Sequence, residues 1–313
     1  MKQLSDAGAI AILRRAPGRD GTAFVDGLYE YKKDIQPGLP EIALAAEDFL
    51  KISRMVKSSE NVEVDMELKT KFLTDDLTGR NVVAEIAGTD PVLKNQVVML
   101  GGHLDSWHSG TGATDNGAGC VVMMEAVRIL KTLNIQPKRT IRIALWGGEE
   151  QGLLGSIGYV RKHFGNPVTM ELKPEQSRIS AYYNLDNGTG KIRGVYLQNN
   201  DAVRPLFQKW LEPFADLGAS SLTSSNTGGT DHLSFDAVGI PGFEFIQDPI
   251  EYETRTHHSN MDTFDHLLFD DLRQASIIVA AFVYNTAMRN EALPRKSLPK
   301  AGEWLFDIDL SGE

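Results

Sequence analysis

Val97-Val98-Met99-Leu100-Gly101-Gly102-His103-Leu104-Asp105 reads as a short apolar strand that ends in two glycines and then presents an imidazole and a carboxylate. Two further apolar runs end in acidic residues, the first of them through a second glycine pair. Ile141-Arg142-Ile143-Ala144-Leu145-Trp146 runs into Gly147-Gly148-Glu149-Glu150, and Tyr182-Tyr183-Asn184-Leu185 runs into Asp186-Asn187-Gly188. In open α/β sheets, ligands bind beyond the carboxyl ends of the strands. Glycine lets the backbone turn sharply there and brings side chains together. Three such endings point to one site at one sheet edge.

Around these stretches the chain alternates between short apolar runs and segments of helical period. Strands are predicted over residues 82–86, 97–100, 140–146, 179–185 and 241–246, and helices over 117–133, 153–164, 202–217 and 272–288. This alternation predicts an α/β fold with a mixed, mostly parallel central sheet and helices on both faces. In the helix over 117–133, Val121, Met124, Val127 and Leu130 are assigned to the core face, and Cys120 to the core as a thiol. The N-terminal part differs. It offers a strand over 7–13, a strand-to-helix unit over 41–56, and alternation of Val62, Val64, Met66, Leu68 and Phe72 that predicts a half-buried strand. The polar, turn-prone stretch 74–79 then marks a boundary. The expected division is a β-rich partial domain over 1–75 and a larger domain with a C-terminal tail over 76–313.

A chain of 313 residues can bury one large core and part of a second domain. Its net charge of −10 argues against a phosphate-backbone partner, so no nucleic acid is expected. No apolar run is long enough for a transmembrane segment. The single cysteine, Cys120, excludes an internal disulfide and a Cys-based zinc cage. Residues 1–13 do not read as a signal peptide, and a cytoplasmic location stays open on that ground.

The chemistry-bearing residues suit zinc, which takes imidazole nitrogen and carboxylate oxygen and keeps a position for water in catalytic sites. His103 and His258 offer nitrogen; Asp115, Glu150 and Asp186 offer oxygen. Five ligands exceed the need of one tetrahedral ion and suit two Zn2+, with Asp115 as the shared carboxylate. Glu149, next to a ligand and free of the metal, is placed to act as general base. Asp105 is expected either to accept the second ring proton of His103 or to cap a turn. Asp231 and His232 are read as loop anchors near the site, and His108, His163 and His266 as surface residues.

Five ordered motifs sharpen this reading. Residues 101–106 (GGHLDS), 112–119 (GATDNGAG), 146–152 (WGGEEQG), 184–186 (NLD) and 257–263 (HHSNMDT) resemble the zinc peptidase family of bacterial leucyl aminopeptidases and plasma glutamate carboxypeptidase-like dipeptidases. The resemblance covers roughly residues 81–290. It implies a zinc exopeptidase fold, His103, Asp115, Glu150, Asp186 and His258 as ligands with Asp115 bridging, and Glu149 as base. It further implies that His257 donates a hydrogen bond to the tetrahedral intermediate. Residues 1–75 resemble the C-terminal piece of a protease-associated domain, whose first half and an opening catalytic segment precede this region in such members. The family implies a secreted or periplasmic protein acting on a peptide substrate, with a homodimer left open.

The expected reaction is hydrolysis of the N-terminal peptide bond of a peptide or dipeptide, with Glu149 activating a metal-bound water. Tyr252 and Arg255 are read either as pocket residues or as a solvated loop. Arg193 and Arg255 stand as anchors for a substrate carboxylate in the alternative of carboxypeptidase action. A glutaminyl cyclase on the same fold is the other rival; such cyclases lack the first histidine, which is present here as His103. A non-catalytic binding module is the third, against which the intact ligand set argues.

Overall fold

The structure is a computed structural model that describes residues 2–25, 38–71, 73 and 75–303. A short helix α1 (Lys2–Asp6) leads into β1 (Ile12–Arg15), which pairs in parallel with β2 (Glu41–Leu44), and α2 (Ala46–Lys57) follows at once. The predicted strand over 7–13 thus forms later, over 12–15. The predicted strand of alternating residues does not form: 60–71 carry no ladder, and Val64, Met66 and Leu68 are 53%, 41% and 53% exposed. Alternation specifies a strand with one covered face, and among the described residues neither a pairing strand nor a covering layer is supplied. Phe72 lies outside the described residues.

The larger unit is built on a seven-stranded sheet. Its strands are β3 (Val82–Ile86), β4 (Val97–His103), β5 (Thr140–Trp146), β8 (Ile179–Asn184), β9 (Ile192–Tyr196), β10 (Ser221–Thr223) and β11 (Gly242–Gln247), in the spatial order β10-β9-β11-β8-β4-β5-β3. A two-residue antiparallel pair, β6 (Gly165–Asn166) with β7 (Glu171–Leu172), stands apart. In the sheet, β4 pairs in parallel with β5 and β8, and β11 with β8. β3 runs antiparallel to β5, and β9 antiparallel to β11. The sheet is mixed and mostly parallel, as the sequence predicts.

Helices cover both faces, which is why β4 is buried at every position. Val98 and Leu100 point to the side of α3 (Ala118–Thr132), α5 (Arg204–Leu211) and α7 (Phe269–Met288), where Val122, Met123, Phe207 and Phe282 complete one core. Val97 and Met99 point to the side of α4 (Leu154–His163) and α6 (His232–Asp236), packing with Val160 and Phe235. One expectation for α3 fails. Val121 and Met124 are 56% and 54% exposed, while Val122, Met123, Ala126 and Leu130 are buried. Leu130 is buried and Val127 packs against the same core as expected, so only Val121 and Met124 are displaced, the apolar run being wider than the face that can be covered.

Close packing at the strand ends decides where the site forms. A Cβ at Gly101 would lie 2.0 Å from the Ala144 carbonyl oxygen, so only glycine lets β4 approach β5 there. Among the described residues, no helix is long and apolar enough to cross a membrane. The heart of the larger core is Phe282, fully buried with its ring edge-on to Tyr183, Phe207 and Phe245. Phe282→Ala should lower unfolding free energy by ~3–5 kcal/mol. Equilibrium denaturation measures it; a loss under ~1 kcal/mol would mean that this core is not close-packed.

Candidate metal centre

Each chemistry-bearing residue sits where an element ends. His103 is the last residue of β4, Glu149 and Glu150 follow β5, and Asp186 follows β8. Asp115 lies in the turn Ala113–Gly117 that leads into α3, and its peptide bond to Asn116 is cis. Asn116 joins this turn to β8: its Nδ2 donates to the Leu185 carbonyl at 2.9 Å and its Oδ1 accepts the Gly119 amide. His258 comes from the loop after the helical turn Tyr252–Thr256.

The structure brings all six together. His103 Nε2 lies 3.2 Å from Asp115 Oδ1, 3.2 Å from Asp186 Oδ1 and 4.0 Å from Glu149 Oε2. On the other side His258 Nε2 lies 3.4 Å from Asp115 Oδ2 and 3.0 Å from Glu150 Oε2. Asp115 therefore directs one oxygen to each imidazole. Ligand atoms of His103, Asp115 and Glu150 also fall within 4.8 Å of one another, so Glu150 reaches toward both ends. Its 3.0 Å contact makes His258 the closer partner. His257 stands at the rim with Nε2 3.9 Å from Asp115 Oδ2, its ring in tilted contact with those of His258 and Tyr252.

The donor set fits cations. Asp115 Oδ2 and Glu150 Oε1 are buried and accept no hydrogen bond from the described residues, a costly state for carboxylate oxygens that a positive ion would relieve. His103 Nδ1 faces the Asp105 carbonyl oxygen at 3.0 Å. A carbonyl only accepts, so Nδ1 carries the proton and Nε2 is the atom turned toward the carboxylates.

Residues 81–283 match the profile of peptidase family M28. The chain belongs to family M28. It is 31% identical to carboxypeptidase Q of Bos taurus over 269 residues, which are 86% of this chain and 54% of that protein. The chain thus spans about half the length of the curated relatives it matches. Among solved structures, a peptidase M28 precursor from Shewanella amazonensis superposes with a TM-score of 0.76 at 28% identity, covering 94% of this chain and 63% of that one. BSAP, a zinc aminopeptidase from Bacillus subtilis, gives 0.65 at 25% identity, covering 93% and 68%.

A second layer of this M28 site escaped the sequence reading. Asp262 accepts from the Thr114 amide at 2.5 Å, the Thr114 hydroxyl at 2.8 Å and the Asp115 amide at 3.3 Å, tying the His258 loop to the turn that holds Asp115. Glu244, buried in mid-strand, accepts from the Asp186 amide at 2.8 Å and from Asn184 Nδ2 at 2.7 Å. A carboxylate inside the apolar run Phe243–Ile246 was the available signal. Asp105 works otherwise than by its carboxylate on His103, which is 3.7 Å away. The carboxylate instead accepts the Glu149 and Glu150 amides at 3.1 and 3.2 Å, and so fixes the turn that carries both. Asp231 and His232 are fully buried, as anchors rather than loop surface. Tyr252 is buried too, so the solvated-loop reading fails for it. Of the histidines assigned to the surface, His108 is exposed, while His163 is half-buried on Tyr159 and His266 is half-buried beside Glu251. Cys120 is a core thiol whose burial pushes its pKa up to about 12.

Electrostatics follow from packing so many acids at one edge. Burial raises Glu149 and Glu244 well above the ordinary carboxylate range and brings Asp231 to about 7. Burial alone would lower His103, but Asp186, Asp115 and Glu149 carry it well above 6.5. His258 is likewise lowered by burial and raised overall by Glu150. Groups with raised pKa hold more protons folded than unfolded, so their stabilisation is complete at low pH and lost as pH rises through the folded value. Burial acts the other way on His232, brought to about 4, and on His257, but that contribution is complete above 6.5. The metal-free protein should therefore lose thermal stability steadily from pH 6.5 to 8. Calorimetry after chelation tests this, and a midpoint that rises across that window would contradict it.

Proposed function

We propose that this M28 chain carries the catalytic machinery of a zinc-dependent exopeptidase that removes the N-terminal residue of peptides or dipeptides. The observation that supports it is the division of Asp115, with one oxygen at 3.2 Å from His103 and the other at 3.4 Å from His258. His103, Asp115 and Asp186 would hold one ion, and His258, Asp115 and Glu150 the other. Two zinc ions held there would polarise the scissile carbonyl and make the attacking water more acidic. Glu149 takes the proton of that water and returns it to the leaving amine. Its burial suits the task, since a carboxyl raised toward neutrality is a better match for moving a proton at physiological pH. His257 is held neutral by burial and by neighbouring His258, and its exposed edge donates to the oxyanion.

The acidic character of the site supports recognition of a free amine, with Glu253 3.9 Å from His257 at the rim. Of the two arginines offered for a substrate carboxylate, Arg193 is already held by both oxygens of Asp248, at 2.8 and 2.6 Å. Arg255 favours a second reading, carboxypeptidase action, because its Nε is buried with no hydrogen-bond partner among the described residues and Glu251 lies at 3.7 Å.

Metal analysis should find two zinc ions per chain. Glu149→Gln should keep both and lower kcat by ~10²–10⁴-fold, because the amide cannot accept a proton. Asp115→Ala should lose metal. A Glu149→Gln variant with unchanged kcat removes Glu149 from the mechanism. Acetylating the amine of a good peptide substrate should abolish cleavage, whereas amidating its carboxyl end should matter little. The reverse ranking would establish the second reading, with Arg255 as anchor.

A further inference from the structure

His258 has φ +54°, a left-handed backbone that a branched or bulky side chain adopts only when its surroundings enforce it. Part of that enforcement is local. The Ser259 hydroxyl donates to the Arg255 carbonyl, the His257 amide donates to the Tyr252 carbonyl at 2.9 Å, and Met261 donates to the Ser259 hydroxyl at 3.1 Å.

The rest comes from a distant part of the chain. Phe24 and Ser259 form an antiparallel bridge. The Val25 amide donates to the carbonyl of His258 itself at 2.9 Å, and the Asn260 amide to the Ala23 carbonyl at 3.0 Å. The Ala23 amide donates to Asn260 Oδ1 at 2.9 Å. Phe24 is 7% exposed, and its ring leaves so little room that a Cβ on Gly18 would lie 2.6 Å from it. The strand is tied back in turn to the N-terminal unit. Glu47 of α2 accepts the Asp20 amide at 2.9 Å and the Gly21 amide at 3.4 Å, and the Ala16 amide donates to Leu44 of β2 at 2.8 Å.

We propose that residues 22–25 are a strap that positions the His258 loop, so that the N-terminal unit sets the affinity of the metal position containing His258 and Glu150. Val25 and Asn260 are its positioning residues. Two backbone bonds and one side-chain bond hold the loop of a strained residue whose imidazole is the most exposed of the five candidate ligands, at 27%. Outer-shell partners of this kind change metal affinity by ~10–100-fold when removed. The zinc part of the inference rests on the metal-centre reading above; the strap itself does not.

Val25→Pro deletes the amide that reaches His258, and Val25→Ala keeps it. Asn260→Ala deletes the side-chain acceptor, and Asn260→Asp keeps it. Hydrogen exchange on the metal-free proteins reads the strap alone: Val25→Pro and Asn260→Ala should speed exchange over residues 256–262, and the two conservative variants should not. Competition with a chelator then reads the metal. The deleting variants should weaken one of two zinc equivalents by ~10-fold or more and leave the other as in the parent. If Val25→Pro does not fold, Asn260→Ala against Asn260→Asp decides alone. Unchanged exchange, or equal weakening of both equivalents, would overturn the proposal. A parent protein that binds no zinc while exchange responds as expected would instead overturn the metal-centre reading and leave the strap standing.

Discussion

Four carboxylates and two imidazoles meet at one end of a buried sheet, and the rest of the molecule is arranged around that charge problem. Asp115, Glu149, Glu150 and Asp186 are all buried or nearly so, which is unfavourable for anions without compensation. In the metal-free chain protons offset part of this charge, because neighbouring acids raise His103 and His258 and burial raises Glu149 and Asp231. Divalent cations would replace those protons with fixed charge. An edge that is poorly solvated and over-acidic on its own becomes balanced once they bind, and in this way the same packing that destabilises the free site gives it affinity.

The sheet supplies the rigidity this requires. β4, β5 and β8 lie side by side in register, so His103, the Glu149–Glu150 turn and Asp186 emerge on the same edge without any loop having to reach. Asp115 and His258 come from segments that do not directly continue these three strands, and both are held by bonds far in sequence. Asp262 ties the two segments together, and Asn116 fastens the first to β8. His258 is the least supported by the sheet, and residues 23–25 pair with its loop.

Much of this was legible in the residues. An apolar run with an acid or imidazole just past its end is a local pattern, and it located three of the five candidate ligands together with Glu149. Order along the chain and chemical fitness added Asp115 and His258. What was hidden is tertiary. Ile192–Tyr196 is a strand interrupted by Gly194, and Ser221–Thr223 is too short for a periodic signal, so the far edge of the sheet went unread. Val121 and Met124 of α3 were misassigned because an apolar helix offers more candidates than one interface can cover. Asp105 fills both roles offered for it, since its backbone carbonyl meets His103 and its carboxylate caps the Glu149–Glu150 turn. Asp262 acts on residues some 148 positions away, a relation that no local pattern contains.

The central claim is that Asp115 joins two metal positions into one centre. Electron paramagnetic resonance of the protein loaded with two equivalents of a paramagnetic divalent ion such as cobalt tests it directly. Ions that share a carboxylate are magnetically coupled, so the signal of the first equivalent should collapse as the second binds. Two equivalents giving the sum of two independent signals would contradict the account, and with it the role given to Asp115.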